Sequence, residues 1–272
     1  VAGIAFLAWV IWELGEKHPI VDLSLFKSLN FSISTLVFSL AYAVFFGANL
    51  LQPLWLQTQM GYVATWAGLV VMPAGIVAVV LSPVVGKSLS KFDARIIATV
   101  SMGAFAISFF MRSGFTSQVD VRAMIWPMLV QGVALSTFFI SMVTLCLNGL
   151  RPDQVPSASG LTNFTRITAG SFAASLATTL WERGETLHQT RLAESISAAS
   201  PVAAQAMGAA QGAGLSAPQS LALMTQQAAS QAFLLSTIDL FRICGWLSVI
   251  LIPLIWMTRK AKAQAGAVHA AD

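Results

Sequence analysis

Long apolar stretches separated by short polar ones recur along the whole chain of 272 residues. An α-helix needs about 20 mostly apolar residues to cross the hydrocarbon core of a bilayer. Six stretches fit that requirement: 31–52, 66–85, 96–111, 124–147, 161–181 and 233–257. The opening run VAGIAFLAWVIW, residues 1–12, is too short to span and reads as the end of a further span. Residues 13–30 are charged and proline-broken, which predicts a loop, and residues 259–272 form a polar tail. Between the fifth and sixth spans, residues 182–231 are polar and rich in Ala, Gly and Ser. WERGETLHQTRLAESI continues the helical spacing of the fifth span, while Ser216 and Pro218 mark a helix start. Two helical extensions joined by a flexible Ala/Gly linker are therefore expected.

Composition turns this pattern into a class. Hydrophobic residues make up 56% of the chain and charged residues only 10%, with a mean hydropathy of +0.75. A soluble domain carries roughly a quarter charged residues. The expected fold is therefore an all-α, multi-pass membrane protein. The net charge of +4 is too small to suggest a nucleic-acid partner, but its sidedness is informative. Alternate loops hold Lys17, Lys27, Lys87, Lys91, Arg95, Arg151, Arg259, Lys260 and Lys262 on one side. Arg112, Arg122, Arg183 and Arg191 lie on the other. The positive-inside rule makes the first side cytoplasmic, with the C-terminus inside and residues 182–231 outside. Cys146 and Cys244 fall within spans and read as small buried hydrophobes. His18, His188 and His269 stand apart, in positions expected to be solvated, and no metal-type spacing joins them to the cysteines.

Helices in lipid satisfy their own backbone groups, so polar side chains within spans carry the information. The first full span has Asn49 and Gln52 beside Pro53, and the fourth has Gln131 one turn after Pro127. Tyr42, Phe45, Phe46, Phe138, Phe139 and Met142 share those spans. Together they suit an apolar cavity with a few polar groups, the kind of site that binds lipophilic small molecules. The fifth span holds Asn163 and Arg166. An arginine at a helix centre costs about 2.5–3.5 kcal/mol on insertion scales. Arg166 lies close enough to the cytoplasmic end either to snorkel to the interface or to bond a neighbouring helix. The small residues Gly170, Ala173, Ala174 and Ala177 favour close packing of that span. In the sixth span Asp239 and Arg242 stand three residues apart on one face, placed to pair with each other. GAAQGAG follows no strand and is no nucleotide loop, and no enzyme signature appears.

WELGEKHPIVDLSLFKSLNFSIS, GYVATWAGLVVMPAGI, LSPVVGK and SGLTNFTRITAGSFAASLATTLWERGETLHQTRLAES occur in this order. Together they resemble the C-terminal half of EmrB-type exporters. These are 14-spanning drug:proton antiporters of the major facilitator superfamily. The resemblance implies that residues 1–12 end helix eight and that the six spans are helices nine to fourteen. Those would form a six-helix bundle of two inverted three-helix repeats. It implies that spans 31–52 and 124–147 line a central cavity built from Tyr42, Phe45, Phe46, Asn49, Gln52, Gln131, Phe138 and Met142. It also places Asn163 and Arg166 near the cytoplasmic gate, with Asp239 and Arg242 as further gating or interface residues. The superfamily's cytoplasmic loop motif is similar to GKSLSKFDAR, where Gly86, Lys91 and Arg95 match; Ser90 and Asp93 replace an acid and a glycine.

The resemblance further implies lipophilic or weakly acidic drug substrates, a proton gradient in place of a cofactor, and the bacterial inner membrane. Implied partners are membrane lipids, an N-terminal half carrying the proton-binding acids, a periplasmic adaptor and an outer-membrane channel. Residues 182–231 lie on the side that would meet the adaptor. A metabolite or siderophore exporter of the same fold, or a non-transporting scaffold, are the alternatives.

Overall fold

The computed structural model describes residues 23–117, 119–195 and 201–259. The expected span end at 1–12, His18, His269, and most of the tail and of the first loop lie outside the described residues. Among the described residues there are helices and turns but no strand. Seven α-helices follow one another among the described residues: α1 (Leu29–Thr58), α2 (Ala64–Leu89), α3 (Ala94–Arg112), α4 (Val121–Leu147), α5 (Val155–Ser195), α6 (Pro201–Gly212) and α7 (Ala217–Trp256). By length and composition α1, α2, α3, α4 and α7 are apolar enough to cross a membrane. The small polar residues of α5 lower its hydropathy, yet it lies along α1 and α7 in the same bundle. The chain is thus an all-α, multi-pass membrane protein.

The helix contacts follow an exchange rule. Helix α4 packs along α2 and α3, while α1 packs along α5 and α7. Swapping α1 with α4, α2 with α5 and α3 with α7 converts each of these two sets into the other, while the further packing of α5 along α7 has no α2–α3 counterpart of similar extent among the described residues. Two glycines make the correspondence concrete. A Cβ on Gly132 of α4 would stand 2.7 Å from the Ala74 carbonyl of α2, and one on Gly47 of α1 would stand 3.3 Å from the Ala173 carbonyl of α5. In lipid, helices associate through close contact at such small residues. The exposed faces are apolar too: Val79, Val80 and Val84 of α2 and Phe172 and Leu176 of α5 are exposed, as suits residues that meet hydrocarbon or another apolar helix rather than water.

A side-chain staple gathers three helix ends. Asn30, at the start of α1, donates from Nδ2 to the Asn148 carbonyl just after α4 (3.2 Å). It accepts at Oδ1 from the Arg259 backbone N–H just after α7 (2.6 Å). Asn148 Nδ2 closes the triangle on the Arg259 carbonyl (3.3 Å). The start of α1 and the ends of α4 and α7 therefore lie together, at one end of the bundle.

Helices α5 and α7 contain 41 and 40 residues. At 1.5 Å per residue each is about 60 Å long, roughly twice the hydrocarbon thickness. Their excess forms the expected helical extensions. Trp181 Nε1 donates to Thr237 Oγ1 (2.8 Å), Ser236 Oγ donates to the Trp181 carbonyl (2.6 Å), and Gly184 leaves room for Ser236. Ser216 begins α7, with Gln219 Oε1 accepting from its backbone N–H (2.9 Å). The expected flexible linker is corrected in part, because Pro201–Gly212 is helical. Alanine has the highest helix propensity and proline suits the first helical turn, which outweighs the glycines there.

Candidate functional site

Helices α1 and α4 run antiparallel and share a polar seam. Asn49 Nδ2 donates to the Phe45 carbonyl one turn earlier (2.7 Å), so its Oδ1 faces α4. There it accepts from Gln131 Nε2 (2.6 Å). One turn along, Gln52 Nε2 lies 3.9 Å from Met128 Sδ, a weak acceptor. Gln52 and Gln131 are each only 1% exposed, and each keeps a side-chain carbonyl with no partner. Proline sharpens this polarity. Pro53 has no N–H to give to the Asn49 carbonyl, and Pro127 none for Ala123. The seam is rich in acceptors and sits in an otherwise apolar bundle.

Aromatic rings fill the same seam closer to the Asn30 end. Phe38 meets Phe138 edge-on at 5.4 Å, and Phe138 meets Phe139 at 5.1 Å. Tyr42 stacks on Phe46 at 5.7 Å and tilts against Phe45 at 6.0 Å. Phe138 and Met142 are buried in the interior of the bundle, Tyr42 and Phe45 are half-buried, and Phe46 is exposed. Of the expected cavity residues, those on α1 and α4 thus converge on one seam. The expected cavity lining is corrected in part: Gln52, Gln131, Phe138 and Met142 are packed inside the helical core, where inter-helix packing buries them, and Phe46 lies at its margin.

Arg166 enters this aromatic cluster from α5. Its guanidinium carbon lies 4.5 Å from the Tyr42 ring centroid, 5.5 Å from Phe139 and 5.7 Å from Phe38. Gly170, one turn later, permits the approach: a Cβ there would stand 2.7 Å from Tyr42 Cε1. Arg166 Nη2 donates to Asn163 Oδ1 at 3.0 Å on its own helix, while Nε is buried without a partner. Asn163 itself is exposed.

The remaining expected residues lie at the two ends of the bundle. Asp239 Oδ1 is 4.0 Å from Arg242 Nη1, and its other oxygen lies 2.8 Å from His188 Nε2. His188, expected to be solvated, keeps only 16% of its side chain exposed, because the α5 extension carries it onto α7. At the opposite end Gly86 and Lys91 are exposed, with open space around Gly86. Asp93, which departs from the superfamily motif, caps α3 by accepting from the Arg95 backbone N–H at 3.1 Å.

Arg112 was missed by loop counting. It closes α3 fully buried, between Phe109 and Phe241, with ring centroids 5.5 and 5.4 Å from its guanidinium carbon. The Phe109–Phe110 pair just before it, continuing the apolar run, was the available signal that the helix carries it inward.

These features agree with what the chain is similar to. Residues 1–175 match the Major Facilitator Superfamily. The chain is 39% identical over 267 residues to the multidrug export protein EmrB of Escherichia coli K12, covering 98% of this chain and 52% of that protein. It is 38% identical over 261 residues to the fatty acid resistance protein FarB of Neisseria gonorrhoeae, covering 96% of this chain and 52% of that protein. The EmrB of Haemophilus influenzae is 39% identical over 274 residues, with 99% and 52% covered. The chain spans about half the length of these relatives. With this similarity along almost its whole length, and with a bundle built on exchanged three-helix sets, the chain belongs to the Major Facilitator Superfamily.

Proposed function

We propose that this chain supplies one half of a proton-coupled efflux transporter that exports lipophilic or weakly acidic small molecules across the inner membrane. The similarity over 96–98% of the chain to proteins named for multidrug export and fatty acid resistance carries the reading. The exposed margin of the α1–α4 seam supports it: Phe46 and the half-buried Tyr42 and Phe45 are an apolar surface beside few polar groups, which suits ligands that partition from lipid. In this reading the exposed faces of α2 and α5 meet a partner half that carries the proton-binding acids, and the C-terminus is cytoplasmic. The protein acts by alternating access, as a transporter and not an enzyme.

Joining this chain to the N-terminal half of the Escherichia coli relative tests the proposal. In a strain lacking that exporter, the hybrid is expected to restore resistance to its drugs, whereas the chain alone does not. A correctly inserted hybrid that left accumulation of every tested drug unchanged would refute it.

Export across two membranes requires hand-over to a periplasmic adaptor and an outer-membrane channel. The projecting α5–α7 hairpin with α6 is the part we assign to the adaptor. Deleting Pro201–Gly212 is expected to lower adaptor co-purification with the hybrid while membrane insertion persists. Undiminished recovery of the adaptor would assign that contact elsewhere.

A further inference from the structure

We propose that Arg166 recognises the carboxylate of a lipophilic acid, and so selects acidic from neutral ligands at the α1–α4–α5 junction. This deepens the export reading and rests on it for its physiological meaning, but the site lies wholly within this chain. A guanidinium in a membrane span is expensive unless paired. Among the described residues no carboxylate lies within 4.0 Å of Arg166, the ion pairs being Arg151–Asp153, His188–Asp239 and Arg242–Asp239. Its one hydrogen bond goes to the neutral amide of Asn163, and its buried Nε has no partner. The Tyr42, Phe139 and Phe38 rings lie 4.5, 5.5 and 5.7 Å from its guanidinium carbon, contacts that use the cation's charge but none of its N–H donors. A half-buried guanidinium among rings, with no carboxylate and only a neutral amide as partner, is the group that recognises a carboxylate in an apolar setting.

The surroundings set the rest of the ligand. Phe46, which stacks on Tyr42, is exposed at the edge of the same ring cluster. An acyl or aryl tail bound through its acid group would lie against it. Ser39, one turn before Tyr42 on α1, has a buried hydroxyl that also lacks a partner. The same donors suit an anionic lipid headgroup, so the test separates the two sources.

The purified chain in nanodiscs of neutral phosphatidylcholine provides a measurement that needs no transport. Decanoate is expected to bind, and decanamide, its neutral counterpart, to bind more weakly. Arg166→Gln is expected to weaken decanoate roughly ten- to hundredfold, the range for a hydrogen bond to a charged group. It should leave decanamide unchanged, and Arg166→Lys should retain part of the preference for the acid. Equal affinity for acid and amide in the unmodified chain, or equal loss of both in Arg166→Gln, would overturn the assignment. Adding phosphatidylglycerol to the discs is expected to leave decanoate affinity within a factor of two; full displacement of decanoate would assign the site to the lipid headgroup and also overturn the proposal. Because binding is read directly, decanoate selectivity can hold even where the hybrid fails to confer resistance, which separates this proposal from the export reading.

Discussion

Gly132→Ala is expected to be among the most destabilising single-atom additions in the bundle. The added Cβ would meet Val77 Cβ at 2.5 Å and the Ala74 backbone carbonyl at 2.7 Å. A side chain can turn away, but a carbonyl bound within α2 cannot, so α2 and α4 must separate along their contact. Overpacking of this kind costs about 1–3 kcal/mol. In lipid no hydrophobic force holds helices together, so their association rests on this close packing and its loss is felt directly. Gly47→Ala, whose Cβ would meet Ala173 O and Ala177 Cβ at 3.3 Å, should cost less. Gly103→Ala, with nothing within 4 Å, should be neutral or slightly stabilising, since alanine favours helix over glycine. Cys146 and Cys244 are buried and free, so a thiol-reactive dye reports unfolding on heating in detergent. The expected order of midpoints is Gly103→Ala highest, Gly47→Ala next and Gly132→Ala lowest. A Gly132→Ala midpoint equal to that of Gly103→Ala would mean that the α2–α4 contact does not limit stability.

The sequence made the helices legible because lipid imposes one simple rule: a spanning segment must be long, apolar and internally bonded. The boundaries were less legible for a physical reason. Pro53 does not end α1, and the helix runs on to Thr58, since proline is tolerated inside membrane-spanning helices. Likewise the polar faces of α5 and α7 beyond the bilayer give no hydropathy signal, but each supports the other through Trp181, Ser236 and Thr237. Within the candidate site, Asn49 and Gln131 could be singled out as polar groups in apolar spans. Their bond could not, because it depends on the antiparallel register of α1 and α4. Arg166 was visible as an anomaly, and its aromatic surround was not: Phe38, Tyr42 and Phe139 come from two other helices. Charge counting placed Arg112 in a loop because it treats every arginine near a span end as solvated.

Arg112 therefore gives the sharpest contrast between two substitutions at one position. Arg112→Ala is expected to destabilise the bundle by about 2–4 kcal/mol, as large-to-small changes in a packed interior do. The cavity would open between Phe109 of α3 and Phe241 of α7. Arg112→Met should instead cost less than 1 kcal/mol or be stabilising, because methionine refills that space without a charge. The guanidinium is poorly provided for: Nη2 donates to Ser108 Oγ at 3.2 Å, while Nε and Nη1 have no partner. Each unmet donor carries a desolvation cost of about 1–3 kcal/mol, against which two cation–π contacts offset about 2 kcal/mol apiece. Ser108 keeps its own bond to the Pro127 carbonyl (2.7 Å) in either variant, so the α3–α4 link is not disturbed. Thermal midpoints followed with the same thiol dye decide the matter. If Arg112→Met falls as far as Arg112→Ala, the positive charge itself holds α3 to α7. If methionine matches or exceeds the parent, the charge is retained at a cost in stability, and a role in the transport cycle becomes the reason to keep it.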